Sequence, residues 1–265
     1  MSVTSKDGTS ISWRRDGEGH PVVLVHGACG DRGNWINCTP HLAPAHAVYA
    51  IDRRGRGRSG DGPDYAIERE YEDVAAVLDA VAEHEGSPVT LVGHSYGGLV
   101  ALGAVRLTSA VGRLVLYEPP VLLSRLGGFD RVLEQVEVHL RADRRTEAAL
   151  TFLREILSDQ EVAGVRAFAP AWRQIERDVP TVPRELRAAL ALPERRYDDL
   201  GMPTLLLVGE RSPEFLSASV HHLATVFPSP TMTVIPGQGH MAQSFAAETF
   251  CAEIERFVDE ESGAR

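Results

Sequence analysis

Gly93-His94-Ser95-Tyr96-Gly97 is the segment of this sequence best suited to nucleophilic chemistry. It has the form G-x-S-x-G, follows the apolar run Val89 to Gly93 and precedes a helical pattern that starts near Tyr96. A serine on a sharp strand-to-helix turn is held in strained backbone geometry with its hydroxyl clear of the sheet, so its neighbours two residues away must be small. The free N–H groups of the following helix favour negative charge developing beside that hydroxyl. Ser95 is the candidate nucleophile. Read without chemistry, the same segment is a serine capping a helix in a glycine-rich turn.

Such a serine needs a sheet behind it, and the pattern supplies one. Val22 to His26, Ala47 to Asp52, Val89 to Gly93, Leu114 to Tyr117, Thr204 to Val208 and Thr231 to Ile235 read as strands, several of them continuous apolar runs buried on both faces. Val74, Val77, Leu78 and Val81 share one face of a helix from about Glu70 to His84. Leu99, Leu102 and Val105 lie on another. Strands alternating with helices imply βαβ units and a mainly parallel sheet, an α/β fold. At the N-terminus, two short alternating segments flank Lys6-Asp7-Gly8, a hairpin turn. From Pro119 to about Met202 roughly eighty residues carry only helical segments, such as Arg131–Leu140 and Thr146–Ser158. That is too long for an ordinary connection and reads as a helical insertion over one end of the sheet.

Composition narrows the function classes. The chain has 265 residues and a net charge of −10, which argues against a dedicated nucleic-acid or anionic-membrane binder. Of 27 basic residues only Lys6 is lysine. Cys29, Cys38 and Cys251 follow no metal-ligand or redox spacing, and no H-E-x-x-H exists, so neither a metal nor a cofactor is inferred. No apolar run reaches the length of a signal peptide or a membrane span, and a cytoplasmic protein with free thiols is expected.

Four signals in order resemble the α/β-hydrolase superfamily: Val25-His26-Gly27, Asp52 through Ser59, Gly93 through Gly98, and Pro236-Gly237-Gln238-Gly239-His240. The resemblance covers nearly the whole chain outside the insertion. It implies an eight-stranded, mainly parallel sheet flanked by helices, with residues 1–118 and 203–265 forming the core and 119–202 a helical lid after strand six. The backbone N–H groups of Tyr96 and Ala28 would form the oxyanion hole, and His26 would shape that loop. His240 would be the general base, taking the Ser95 proton and returning it to the leaving group. His84, His94, His221 and His222 are assigned to surface or packing roles. For Asp52 and the arginines after it, a solvated turn and direct substrate contact both fit.

One part of the family pattern is missing. The acid usually follows strand seven as G-x-x-D, but here Gly209-Glu210-Arg211-Ser212 puts a serine in that position, and Glu210 and Glu214 are out of register. Glu118, at the end of strand six, is the alternative, as in haloalkane dehalogenases and zearalenone-type lactonases. The latter also resemble this chain in carrying a small hydroxyl residue and proline, here Ser212-Pro213. Glu118 is therefore assigned as the acid that orients His240. A purely structural role at the base of the insertion is the competing reading, with Glu210 and Glu214 as fallbacks.

A serine nucleophile with an oxyanion hole points to acyl transfer from an ester, lactone, thioester or activated amide to water. Leu122, Leu123, Leu126, Phe129, Val132, Leu153, Phe168 and Trp172 are candidates for the inward face of the insertion, and they suggest an apolar small-molecule substrate. Non-hydrolytic catalysis on the same fold, such as cofactor-free oxidation or cyclising acyl transfer, and a low-turnover ligand receptor are the alternatives. The sequence carries no signal of oligomeric state. Cys29, beside the oxyanion loop, is read as a small packing residue.

Overall fold

The computed structural model describes residues 1–126, 128–193 and 199–263. Its eight strands are β1 (Ser2–Thr4), β2 (Ser10–Asp16), β3 (His20–Val25), β4 (His46–Ile51), β5 (Val89–His94), β6 (Val111–Tyr117), β7 (Thr204–Gly209) and β8 (Thr231–Ile235). They form one sheet in the order β1-β2-β4-β3-β5-β6-β7-β8. β1, β2 and β4 pair antiparallel, and every other pairing is parallel. The expected hairpin forms, with Gly8 at φ 88° in its turn.

Helices α1 (Thr39–Leu42), α2 (Ile67–Glu85), α3 (Tyr96–Ala104), α10 (Glu214–Val226), α11 (Ala242–Phe245) and α12 (Ala247–Gly263) flank the sheet. β4, β5 and β7 are buried throughout and β3 from Pro21 onward, as their largely apolar sequences require of strands covered on both faces. One face carries Val23, Val25, Leu91, Leu114, Leu116 and Leu206 against α2 and α3. The other carries Val22, Leu24, Val92, Val115, Leu205 and Leu207 against α12, whose Phe250, Ile254 and Phe257 fill that side.

Between β6 and β7 the chain forms α4 (Leu123–Leu126), α5 (Phe129–Arg141), α6 (Arg145–Ile156), α7 (Asp159–Ala167), α8 (Ala169–Asp178) and α9 (Val182–Ala191). Residues 127 and 194–198 of the 119–202 insertion lie outside the described residues. α7 opens on a capping box in which Ser158 and Glu161 satisfy each other's backbone N–H groups. No described helix is long and apolar enough to cross a membrane.

Candidate active site

Ser95 is the single residue between β5 and α3. Its φ of 54° and ψ of −125° place it in sparsely populated backbone space, held there by surrounding structure. The flanking glycines make that turn possible. A Cβ at Gly97 would collide with the carbonyl oxygens of Val25 and His26, and one at Gly93 would sit 2.7 Å from Gly98 Cα. The Ser95 N–H is fixed by the Tyr117 carbonyl at 2.8 Å.

The loop after β3 packs directly on this turn, since a Cβ at Gly27 would approach Ser95 Cβ to 2.9 Å. His26 is fully buried; its Nδ1–H donates to the Gly27 carbonyl (2.9 Å) and its Nε2 accepts from the Arg53 N–H (3.1 Å). Burial, and next the Arg53 charge, hold its protonation far below the usual histidine range. The ring is a neutral strut for the loop. Ala28, Ser95 and Tyr96 line one cavity. Cys29 follows at φ 52°, buried, with its thiol pushed up by desolvation, so it is a poor nucleophile.

Glu118 stands just past β6 at φ 50°, fully buried. Its Oε2 accepts a short hydrogen bond from His240 Nδ1. Its Oε1 accepts from the Gly209 N–H at 2.6 Å, at the end of the neighbouring strand β7. His240 Nε2 is buried and has no hydrogen-bond partner among the described residues. Several groups clamp the loop that carries this histidine. His94 Nε2 donates to the His240 carbonyl (3.0 Å), and the two rings lie 4.6 Å apart. Tyr117 Oη donates to the Gly239 carbonyl. From the insertion, Glu161 Oε1 accepts the Met241 N–H at 3.0 Å. His94 is held neutral by burial and by the nearby His240, and that packing role matches the sequence reading.

The fallback acids sit elsewhere. Glu210 Oε2 accepts from the Gly237 N–H at 2.6 Å, and Glu214 lies in the first turn of α10. Neither bonds to His240 among the described residues. Ser212, where the usual aspartate would be, has a buried hydroxyl without a partner among them.

The cavity over Ser95 has a volume of about 30 Å³. Leu123 and Phe129 line it as expected, joined by Phe152, Val182, Leu186 and Phe215, which the sequence reading did not single out. Val132 and Leu153 are instead buried inside the insertion. Phe168 is 57% exposed and does not line the cavity, a correction to the expectation. Trp172 lies beneath the Arg166 guanidinium, and the Leu126 side chain is outside the described ones.

In the turn after β4, Arg58 is exposed, but Arg53, Arg54 and Arg56 are neither solvated nor free to meet substrate. All three are about 1% exposed. Arg53 forks onto Glu70 (2.6 and 2.8 Å) and reaches Glu185 (2.6 Å) and the Gly27 carbonyl (3.0 Å). Arg54 forks onto Asp73. Arg56 bonds Glu185 (2.7 Å) and the Gly30 carbonyl (3.1 Å). Asp52 is taken up by the Arg32 side chain and by the backbone N–H groups of Arg32 and Arg58. The missed partners had a sequence signal. Glu70 and Asp73 on α2, and Glu185 on α9, fall on the apolar stripes of their helices, where a carboxylate needs a buried cation. Among the described residues no group of three or more His, Cys, Asp or Glu side chains could hold a metal ion.

Residues 22–253 match the model of the alpha/beta hydrolase family. An alpha/beta hydrolase from Sphaerobacter thermophilus superposes with a TM-score of 0.83 at 32% identity, over 97% of this chain and 100% of that one. A 2-hydroxy-6-oxo-2,4-heptadienoate hydrolase of Pseudomonas putida is 32% identical over 73% of this chain and 72% of its own length. An sn-1-specific diacylglycerol lipase of Mus musculus is 25% identical over 89% of this chain and 80% of its own. Of three further curated relatives the chain spans 36%, 64% and 60% of the length. With its nucleophile-elbow geometry, strand order and nearly full-length match, the chain belongs to the alpha/beta hydrolase family.

Proposed function

We propose that this chain is a serine hydrolase that cleaves an ester or lactone of a largely apolar small molecule through an acyl-enzyme on Ser95. His240 Nε2 takes the Ser95 proton as Oγ attacks the carbonyl, then returns it to the departing alcohol oxygen. Glu118 keeps Nδ1–H pointed away from the serine and stabilises the imidazolium. The N–H groups of Ala28 and Tyr96 receive the oxyanion, and each donor of this kind typically contributes about 10²–10³ in rate. Water, activated by the same imidazole, then releases the acid. α4 to α9 serve as a lid over Ser95, with Leu123, Phe129, Phe152 and Leu186 lining the cavity beneath it. Three buried free thiols suit a reducing compartment such as the cytoplasm.

The observation that carries this reading is the buried Glu118 carboxylate, bonded to His240 and to the end of β7, while His240 Nε2 is left without a partner among the described residues. Relatives named as lipases and esterases support the bond type. The test is fluorophosphonate labelling with p-nitrophenyl ester turnover. Ser95 is expected to be the labelled residue, and Ser95→Ala is expected to abolish both signals. Unlabelled Ser95 with turnover intact would refute the assignment.

A further inference from the structure

Glu185 sits on the apolar stripe of α9 with Val182, Leu186 and Ala189, is 2% exposed, and lines the cavity together with Ser95, Ala28 and Tyr96. Its Oε1 accepts from Arg53 Nη2 (2.6 Å) and from Arg56 Nη2 (2.7 Å). Its Oε2 is buried and has no hydrogen-bond partner among the described residues. The cavity wall is otherwise apolar apart from Ser95 and Tyr96, and the Tyr96 hydroxyl is engaged with that of Tyr65 at 2.7 Å. The carboxylate is also rigid. Arg53 ties it to the Gly27 carbonyl, one residue before Ala28. Arg53 and Arg56 balance Glu70 and Glu185, so this quartet carries no net charge and gives no pull on an ionic ligand.

A buried acceptor held in place with one empty lone-pair direction favours a ligand that brings a donor to it. We propose that Glu185 is a substrate-binding residue whose Oε2 accepts a hydrogen bond from a neutral hydroxyl or amide N–H on the substrate. The preferred substrates are then hydroxyacyl or amidoacyl esters and lactones rather than plain alkyl ones. Substrates carrying a carboxylate near the scissile bond are disfavoured by the same oxygen. This rests on Ser95 as the nucleophile, and the experiment below separates the two.

The test compares p-nitrophenyl butanoate, its 2-hydroxy and 3-hydroxy analogues and the matching O-methyl ethers, each rate normalised to alkaline hydrolysis. The wild-type protein is expected to favour the better hydroxy ester at least tenfold in kcat/KM over both the unsubstituted ester and its own methyl ether, which keeps the oxygen but not the donor. Glu185→Gln can retain an acceptor for the arginines while turning an N–H toward the cavity, so the hydroxy-over-ether preference should shrink or reverse. A thermal melt accompanies that variant, but the wild-type series stands alone if it folds poorly. Equal normalised rates for hydroxy, ether and unsubstituted esters would overturn the inference. If no ester is turned over and Ser95 resists labelling, the nucleophile assignment is what fails. Calorimetric titration with ethyl 3-hydroxybutanoate and ethyl butanoate then still reads Glu185: fivefold tighter binding of the hydroxy ester supports the proposal, and equal binding overturns it.

Discussion

Glu118 and Glu70 are equally buried carboxylates, but one faces an imidazole and a backbone N–H while the other faces a fixed cation. Burial alone would push the Glu70 carboxyl up; the bidentate Arg53 outweighs it and holds the group below its usual range. Arg53 cannot lose its proton, so that ion pair has one state and serves as a rivet between the turn after β4, α2 and α9. An imidazole, unlike a guanidinium, can pass a proton on, and the second nitrogen of His240 is unpartnered among the described residues. The same acid chemistry thus gives rigidity in one place and, in the mechanism we propose, a proton-handling pair in the other. The partner decides which.

Removing the acid at each place should separate the two roles. Glu118→Gln keeps an acceptor for Gly209 but loses the charge that stabilises imidazolium, so kcat should fall by about 10³–10⁴ with KM little changed. Glu118→Asp should restore part of it. Steady-state kinetics and a melting curve check this, and a large loss of stability with kcat intact would make Glu118 structural. Arg53→Met should instead act on the fold, at about 3–5 kcal/mol, because it strands Glu70 without its cation and leaves Glu185 to Arg56 alone. Urea unfolding measures that loss, and an unchanged midpoint would mean the network is dispensable.

Acid should loosen the frame around both sites. Burial holds His26 and His94 well below the usual histidine range, and His20 down to about 4 by burial and then by Arg113 and His46. Below about pH 6.5 the unfolded chain takes up protons that the folded one refuses, so stability is full above that value and falls as pH drops toward the folded values. His26 and His94 should each contribute a slope of up to about 1.4 kcal/mol per pH unit in that window. Melting temperatures between pH 8 and pH 5 give the sign, and a flat profile would contradict it. The smallest effect belongs to an exposed pair. Arg14→Ala, opposite Asp16, should change stability by less than about 1 kcal/mol in the same urea assay.

The sheet and the elbow were legible because they are written in local signals: apolar runs of strand length and glycines spaced around Ser95. Glu118 was legible only by subtraction, from the serine standing at position 212. The rivet was not read. Arg53 meets Glu70 from 17 residues away and Glu185 from 132, and such convergence leaves no mark on spacing. What does leave a mark is an acid interrupting an apolar helical stripe, as Glu70, Asp73 and Glu185 do. The expectation for Phe168 failed for a related reason: a bulky apolar residue on a short helix-rich segment can as readily face outward as in.

The bond from the Gly209 N–H to Glu118 couples the ends of two adjacent strands beside the His240 imidazole. It shows that one spot beside the imidazole is within reach of two adjacent strands, with Tyr117 in register with Leu207 and the Ser212 hydroxyl near Gly209. The Ser212 hydroxyl, buried and without a partner among the described residues, leaves Glu118 as the side chain that ties β6 to both the end of β7 and the imidazole.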